Sequence, residues 1–279
     1  IIASEIYGWT IIPPRLRSSK ESTGSIERCS GVRTGNEFQV RPWMKKEVKG
    51  CPCEPFKQYS RMKAVVLFSG GLDSTVLASH LISKGAEVRL LSIDYGQRHA
   101  KELAHGEALA KHMNLPRKSL LLHDLGDLLK GSSLTDDSVE LPEGHYAEES
   151  MKATVVPNRN MILLALAGGY ALSSGFDTIA YAAHAGDHFI YPDCRPEFAE
   201  AMEKALGLAD WNDLSLYRPF VDMTKADLVR LGKELESPLG MTWSCYAGMD
   251  VHCGKCGTCV ERKEAFELAK VPDPTKYKG

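Results

Sequence analysis

From Met62 onward, short apolar runs alternate with longer stretches in which apolar residues return at helical spacing, and this rhythm restricts the fold of the 279-residue chain most. The runs predict strands at 63–68, 88–93, 118–122, 178–183 and 214–217, and the longer stretches predict helices at 74–84, 99–113, 159–174, 196–206 and 224–235. Pro196 stands near a helix start, and Thr224-x-x-Asp227 has the form of a capping pair. Alternating units of this size imply an α/β fold: a doubly wound, mostly parallel five-stranded sheet with helices on both faces. Ligands of such sheets gather at the carboxyl ends of the strands.

The first strand runs straight into Ser69-Gly70-Gly71-Leu72-Asp73-Ser74-Thr75, and the order is strand, glycine turn, helix. Such a turn aims backbone N–H groups and a positive helix end at an anion, most often a phosphate. Glycines let the backbone approach two phosphates, and the hydroxyls of Ser69, Ser74 and Thr75 add donors. Asp73 can help hold Mg²⁺ against a leaving pyrophosphate. The turn is neither a Walker A loop nor the dinucleotide G-x-G-x-x-G. S-G-G-x-D-S resembles the pyrophosphate loop of the ATP pyrophosphatase superfamily, and the full match in a strand–turn–helix context disfavours an ordinary glycine turn. The ATP-binding stretch is then Phe68, Ser69, Gly70, Gly71, Leu72, Asp73, Ser74, Thr75, Val76, Leu77 and Ala78.

Of eight cysteines, Cys245, Cys253, Cys256 and Cys259 crowd into C-x7-C-x2-C-x2-C. In a chain neither small nor evidently secreted, that clustering reads as a metal site rather than as disulfides. Four thiolates satisfy tetrahedral Zn²⁺, and Gly254 and Gly257 permit the tight backbone that converges them. An iron–sulfur cluster is the alternative, but the Cys-Pro element of bacterial ferredoxins is missing and the fourth cysteine lies upstream. His252 could substitute for a thiolate and is expected to be a bystander. Cys29, Cys51, Cys53 and Cys194 stand apart from the cluster, and Cys51-Pro52-Cys53 alone is a weak basis for a second metal clip.

The composition, 43% hydrophobic and 25% charged with a net charge of −2, is that of a soluble globular protein with no basic surplus for nucleic acid. Its most continuous apolar stretch, 161–171, is too short for a membrane span and is broken by Gly168-Gly169. No signal-peptide pattern opens the chain, so a cytoplasmic location is expected. Residues 1–61 lack sustained periodicity and contain Pro13-Pro14. They are expected to be disordered or a non-native extension, dispensable to a protein starting at Met62; a targeting tail is the functional alternative. Residues 62–240 would form the nucleotide-binding domain and 241–279 a small zinc-binding segment.

Further motifs extend the resemblance. They are Asp94-Tyr95-Gly96-Gln97-Arg98-His99, Val156-Pro157-Asn158-Arg159-Asn160, His184-Ala185-Gly186-Asp187, the stretch from Tyr191 to Phe198, the stretch from Pro219 to Lys225, and Thr242-Trp243-Ser244-Cys245-Tyr246. With the loop and the cysteines, residues from about 62 to 275 resemble the 7-cyano-7-deazaguanine synthase family of the queuosine pathway. The resemblance implies an ATP-dependent ligase that turns a 7-carboxy-7-deazaguanine and ammonia into the nitrile, through adenylated carboxylate and amide intermediates. It implies Asp73, Lys225 and Arg195 as catalytic groups, with Lys225 on the departing phosphates. Arg159, Asp187, Asp193, Arg195 and Glu197 are the expected substrate contacts, with Arg195 forking onto the substrate carboxylate. Surface ion pairing is the bland alternative, weighing most for Glu197. His184 fits a buried structural histidine equally well, and Cys194 lacks the His–acid pair of a nucleophile. No glutaminase domain is evident, so free ammonia or a delivering partner supplies nitrogen. The partners are small molecules, with neither nucleic acid nor membrane required, and a homodimer is the expected assembly. Two rivals remain. A tRNA-thiolating enzyme is disfavoured by the near-neutral charge, and a non-catalytic nucleotide-binding module by Asp73 and Lys225.

Overall fold

The computed structural model describes residues 61–98, 101–145 and 149–278. The expectations for residues 1–60, including Cys29, Cys51 and Cys53, lie outside the described residues, as does that for His99. Five strands form one fully parallel sheet: β1 (Lys63–Leu67), β2 (Glu87–Asp94), β3 (Arg117–Leu121), β4 (Thr178–Ala180) and β5 (Ser215–Tyr217). Their spatial order is β3-β2-β1-β4-β5. The chain therefore builds outward from β1 to β3 on one side, then crosses back to lay β4 on the other. That reversal opens a crevice beyond the carboxyl ends of β1 and β4.

The connecting helices are α1 (Leu72–Ser83), α2 (Lys101–His112), α3 (His123–Leu128), α4 (Arg159–Ser173), α5 (Pro196–Gly207), α6 (Lys225–Glu234) and α7 (Gly257–Ala269). The sheet is covered on both faces, which is why Ala64, Val65 and Val66 are all fully buried in an unbroken apolar run. On one face Val66, Leu77, Leu81, Leu228 and Phe266 pack together. On the other, Val65, Leu164, Ile179, Met202 and Leu216 do so. Edge strand β3 instead carries Arg117 and Lys118 and is only partly buried, a composition that discourages pairing with another sheet.

Several boundaries differ from the sequence-based expectation. Helix α1 begins at Leu72, because the carbonyl of Gly71 already accepts bonds from the N–H and hydroxyl of Thr75 (3.2 and 2.8 Å). Strand β4 ends at Ala180, the last rung flanked by Val66 and Tyr217, and its continuation turns into the crevice. Helix α6 forms as its capping pair demands. Thr224 Oγ1 accepts from the Asp227 N–H at 3.2 Å, and the Asp227 carboxylate accepts from the Thr224 N–H at 3.0 Å. Helices α3 and α7 were not anticipated. The buried face of α7 includes Glu261 and Arg262 as well as Ala265 and Phe266, so its hydrophobic period is masked by charge. Ala265, Phe266 and Ala269 belong to the same core as α1 and α6, and the described residues form one compact unit. The cysteine-bearing segment 241–279 is thus built into the main core rather than appended to it. Among the described residues, no helix is long and apolar enough to cross a membrane.

Candidate active site

The glycine turn after β1 is held by its neighbours on two sides. Gly70 adopts φ +92°, and a Cβ there would lie 2.5 Å from the Glu102 carbonyl oxygen and 2.7 Å from the Gly106 nitrogen on α2. On the other side the Trp243 N–H donates to the Gly70 carbonyl at 3.0 Å. Gly70→Ala is therefore expected to cost roughly 1–3 kcal/mol from the backbone conformation alone. The clash with α2 backbone adds to this, so a lowered melting temperature and a raised KM for ATP are the outcome to measure.

Inside the turn, Gly71 N–H donates to Ser69 Oγ at 3.1 Å, and Ser69 Oγ lies 3.3 Å from Ser74 Oγ. No side chain caps α1 at Gly71, so the helix start is left to face the cavity. Of the stretch expected to bind ATP, Phe68, Ser69, Gly71, Leu72, Asp73 and Ser74 line that cavity. Thr75, Val76, Leu77 and Ala78 are fully buried within the fold. The Thr75 hydroxyl satisfies the Gly71 carbonyl, so it serves the turn rather than an anion.

Opposite the turn, α6 delivers Lys225. Its Nζ donates to Asp73 Oδ2 at 2.7 Å, lies 3.3 Å from Glu261 Oε2 on α7, and lies 3.3 Å from His184 Nε2. His184 is almost wholly buried. Its Nδ1 accepts the Gly186 N–H at 3.1 Å, and its Nε2 lies within 4 Å of Asp187 and Glu261. Burial opposes the charge on Lys225, but Asp73, Glu261 and Asp187 outweigh it and hold the ammonium well above its usual range. Burial likewise works against the Asp73 carboxylate, yet Lys225 and His184 overcome it and keep the group below its ordinary value. Burial dominates at Glu261 and raises it. Three carboxylates around one ammonium leave a negative surplus. Asp73 Oδ1, shut off from solvent, has no hydrogen-bond partner among the described residues. An orphaned carboxylate oxygen beside a phosphate-type turn fits a hard divalent cation such as Mg²⁺.

The other expected contacts divide. Arg159 and Asp187 line the cavity. Asp193 instead anchors the start of α4, its Oδ2 accepting the Asn160 N–H at 3.0 Å. Arg195 is exposed and donates through Nε to the His188 carbonyl at 2.9 Å, and Glu197 is exposed on α5; neither lines the cavity. The 3-10 turn at Pro192–Cys194 directs the chain outward just before them. The arginine that faces the cavity is Arg159, set at the start of α4 by the left-handed Asn158 (φ 54°). Burial opposes its charge, but the groups around it, the Asp193 carboxylate among them, hold the guanidinium well above its usual range. Cys194 also lines the cavity as a neutral thiol, pushed up chiefly by burial, and accepts from Asn160 Nδ2 at 3.2 Å.

Sequence reasoning missed Glu102, Glu261, Tyr95 and Tyr246, all of which line the cavity. Glu261 lies on α7, which was not anticipated, and Glu102 is a first-turn acid of α2, where the helix dipole alone favours a carboxylate.

The cysteine cluster forms one flank of the cavity, through Ser244, Cys245, Tyr246 and Thr258. The Sγ atoms of Cys245, Cys253, Cys256 and Cys259 lie within 4.8 Å of one another. Backbone N–H groups of Cys253, Lys255 and Cys256 point at these sulfurs at 3.2–3.4 Å, a setting that stabilises thiolates. Four convergent, mostly buried thiols fit a zinc ion. His252 stays outside the cluster, its Nε2 accepting the Ser244 N–H at 3.2 Å and its ring packed on Trp243.

A 7-cyano-7-deazaguanine synthase from Rhizobium meliloti is 52% identical over 218 residues, covering 77% of this chain and 92% of that protein. One from Brucella ovis is also 52% identical, over 77% of this chain and 94% of that protein. Among solved structures, an NMN synthetase from Francisella tularensis aligns over 70% of this chain and 71% of its own, with a TM-score of 0.44 and 17% identity. The family model for queuosine biosynthesis protein QueC matches residues 63–270. This chain belongs to the QueC family of queuosine biosynthesis proteins.

Proposed function

We propose that this chain is an ATP-dependent carbon–nitrogen ligase that converts 7-carboxy-7-deazaguanine and ammonia into 7-cyano-7-deazaguanine. The observation that carries the reading is the presence, in one cavity, of a phosphate-type turn with its Asp73–Lys225 pair and of the cation Arg159. A carboxylate is a poor acyl donor until one oxygen becomes a good leaving group. Adenylation achieves this when a substrate carboxylate held by a cation attacks an α-phosphate whose pyrophosphate is held by N–H groups and an ammonium. Arg159 takes the carboxylate role first expected of Arg195, and Tyr95, Tyr191 and Tyr246 beside it offer aromatic surface for a planar heterocycle.

The turn and Lys225 would hold the β- and γ-phosphates, and Asp73 Oδ1 would help hold Mg²⁺. When bound, that ion neutralises phosphate charge. Ammonia then replaces AMP to give the amide, and a second adenylation on the amide oxygen lets a second AMP leave as the nitrile forms. Cys245, Cys253, Cys256 and Cys259 would hold one Zn²⁺ in a closed shell that shapes the cavity wall. The substrates are small molecules, and a cytoplasmic homodimer is the expected working form.

Product masses test the reading. With 7-carboxy-7-deazaguanine, ATP and ammonium, the purified protein should yield the nitrile; a wild-type protein that consumes ATP without forming amide or nitrile would contradict it. Arg159→Met should leave ATP binding intact and raise KM for the carboxylate at least about thirtyfold, from roughly 2 kcal/mol of lost charge pairing.

A further inference from the structure

Both nitrogen steps of this reaction need a base, and the phosphate-side cluster does not provide one. Lys225 is locked as an ammonium, Asp73 and Glu261 are paired with it, His184 already accepts the Gly186 N–H, and Asp187 accepts the His184 N–H. Glu102, in the first turn of α2, lines the same cavity and stands outside that cluster of ion pairs. The backbone at this residue is packed against the glycine turn, since a Cβ on Gly70 would meet the Glu102 carbonyl. Its strongest cationic influence is Arg159, the group that would hold the substrate carboxylate. The charged and titratable groups facing it are Asp73 of α1, Arg159 of α4 and Lys225 of α6, with Tyr95 after β2 and Tyr246 in the cysteine segment.

We propose that Glu102, which lines the same cavity as the carboxylate-binding Arg159, is the proton acceptor for the nitrogen in both the amide-forming and the nitrile-forming step. This rests on the nitrile-forming reading above. In the first step ammonia forms the C–N bond, the C–O bond to AMP breaks with its electron pair on AMP, and one proton passes from the new C–NH₃⁺ to the carboxylate. In the second, the adenylated amide loses its two nitrogen protons in turn as C≡N closes and AMP departs with the C–O pair. Glu102 hands each proton to solvent before accepting the next. Burial is the main influence that pushes this carboxyl up to about 7, with Asp73 adding to it against Arg159 and Lys225, which suits exchange with water near neutrality.

The test separates activation from nitrogen transfer. In Glu102→Gln, carboxylate-dependent exchange of pyrophosphate into ATP should stay within about threefold of wild type. Nitrile formation at saturating ammonium should fall about a hundredfold or more, the usual size of a lost general base. Wild-type kcat should decline as pH drops below about 7, where the carboxyl protonates, and the variant should lack that limb. Glu102→Asp should recover part of the nitrogen step; should the Gln variant not fold, the same exchange-to-nitrile ratio is read on Asp. An equal loss of exchange and nitrile formation, or unaltered nitrile formation with an unaltered pH profile, would overturn the proposal. A wild-type protein that makes no nitrile would instead overturn the reading on which it rests.

Discussion

Asp73→Asn is expected to abolish turnover while leaving the protein folded. The substitution keeps size and removes one charge, at the residue whose Oδ2 pairs with Lys225 and whose buried Oδ1 has no hydrogen-bond partner among the described residues. Loss of that charge should cost several kcal/mol of transition-state stabilisation, a factor of at least about a thousand in carboxylate-dependent pyrophosphate exchange. Folding should suffer far less. Lys225 keeps Glu261 at 3.3 Å, and the Asp73 side chain is 26% exposed, so solvent screening weakens the lost pair. The pH dependence has a definite sign. Because the folded Asp73 carboxyl titrates below its ordinary 3.8, its stabilising contribution is full above that value and fades as pH falls through the lower folded one. The melting deficit of the Asn variant should therefore shrink in acid. Near-normal exchange at saturating Mg²⁺ would remove Asp73 from the mechanism.

Cys253→Ser should cost zinc, thermal stability and activity together. Its sulfur receives N–H groups from Lys255 and Cys256 and lies 3.9 Å from Cys259 Sγ. Structural zinc sites bind with roughly 10–16 kcal/mol of apparent free energy, beyond what a short glycine-containing loop can supply by itself. The consequences reach the cavity because α7 starts among the cysteines and carries Glu261 to Lys225. The same helix carries Arg262, whose buried guanidinium donates to Thr242 and Ser244 hydroxyls and to the Leu239 carbonyl. Those bonds fix the strand of chain that meets Gly70 through Trp243. Elemental analysis of the wild type should give about one zinc per chain and no iron. A Cys253→Ser protein that stays folded and zinc-loaded but loses only the chemical step would show the metal to be catalytic instead.

The parts of this molecule that were legible in the sequence are those governed by local rules. The unbroken apolar run of β1 marked a strand buried on both faces, and Thr224 with Asp227 marked the start of α6. The glycine turn and the four-cysteine spacing announced their chemistry because each needs unusual residues at fixed intervals. Glu261 was hidden by a helix whose buried face is partly charged, so no hydrophobic period exposed it. That Arg159 lines the cavity and Arg195 does not turns on backbone direction. A 3-10 turn sends Arg195 outward to His188, whereas a left-handed Asn158 starts the helix that carries Arg159 into the cavity. Neither turn has a residue pattern that predicts where the next side chain points. Glu102 depended on the contact between α2 and Gly70, a tertiary proximity across a crossover.

The claim on which the rest stands is that this cavity adenylates a carboxylate, with Arg159 holding the acid and the glycine turn holding pyrophosphate. Labelling both carboxylate oxygens of 7-carboxy-7-deazaguanine with ¹⁸O and following them by mass spectrometry tests it most directly. Attack on the α-phosphate predicts that the label leaves in AMP, one oxygen in each of two AMP molecules for every nitrile formed, with pyrophosphate unlabelled. Label recovered in inorganic phosphate alongside ADP would place the attack at the γ-phosphate and contradict the account.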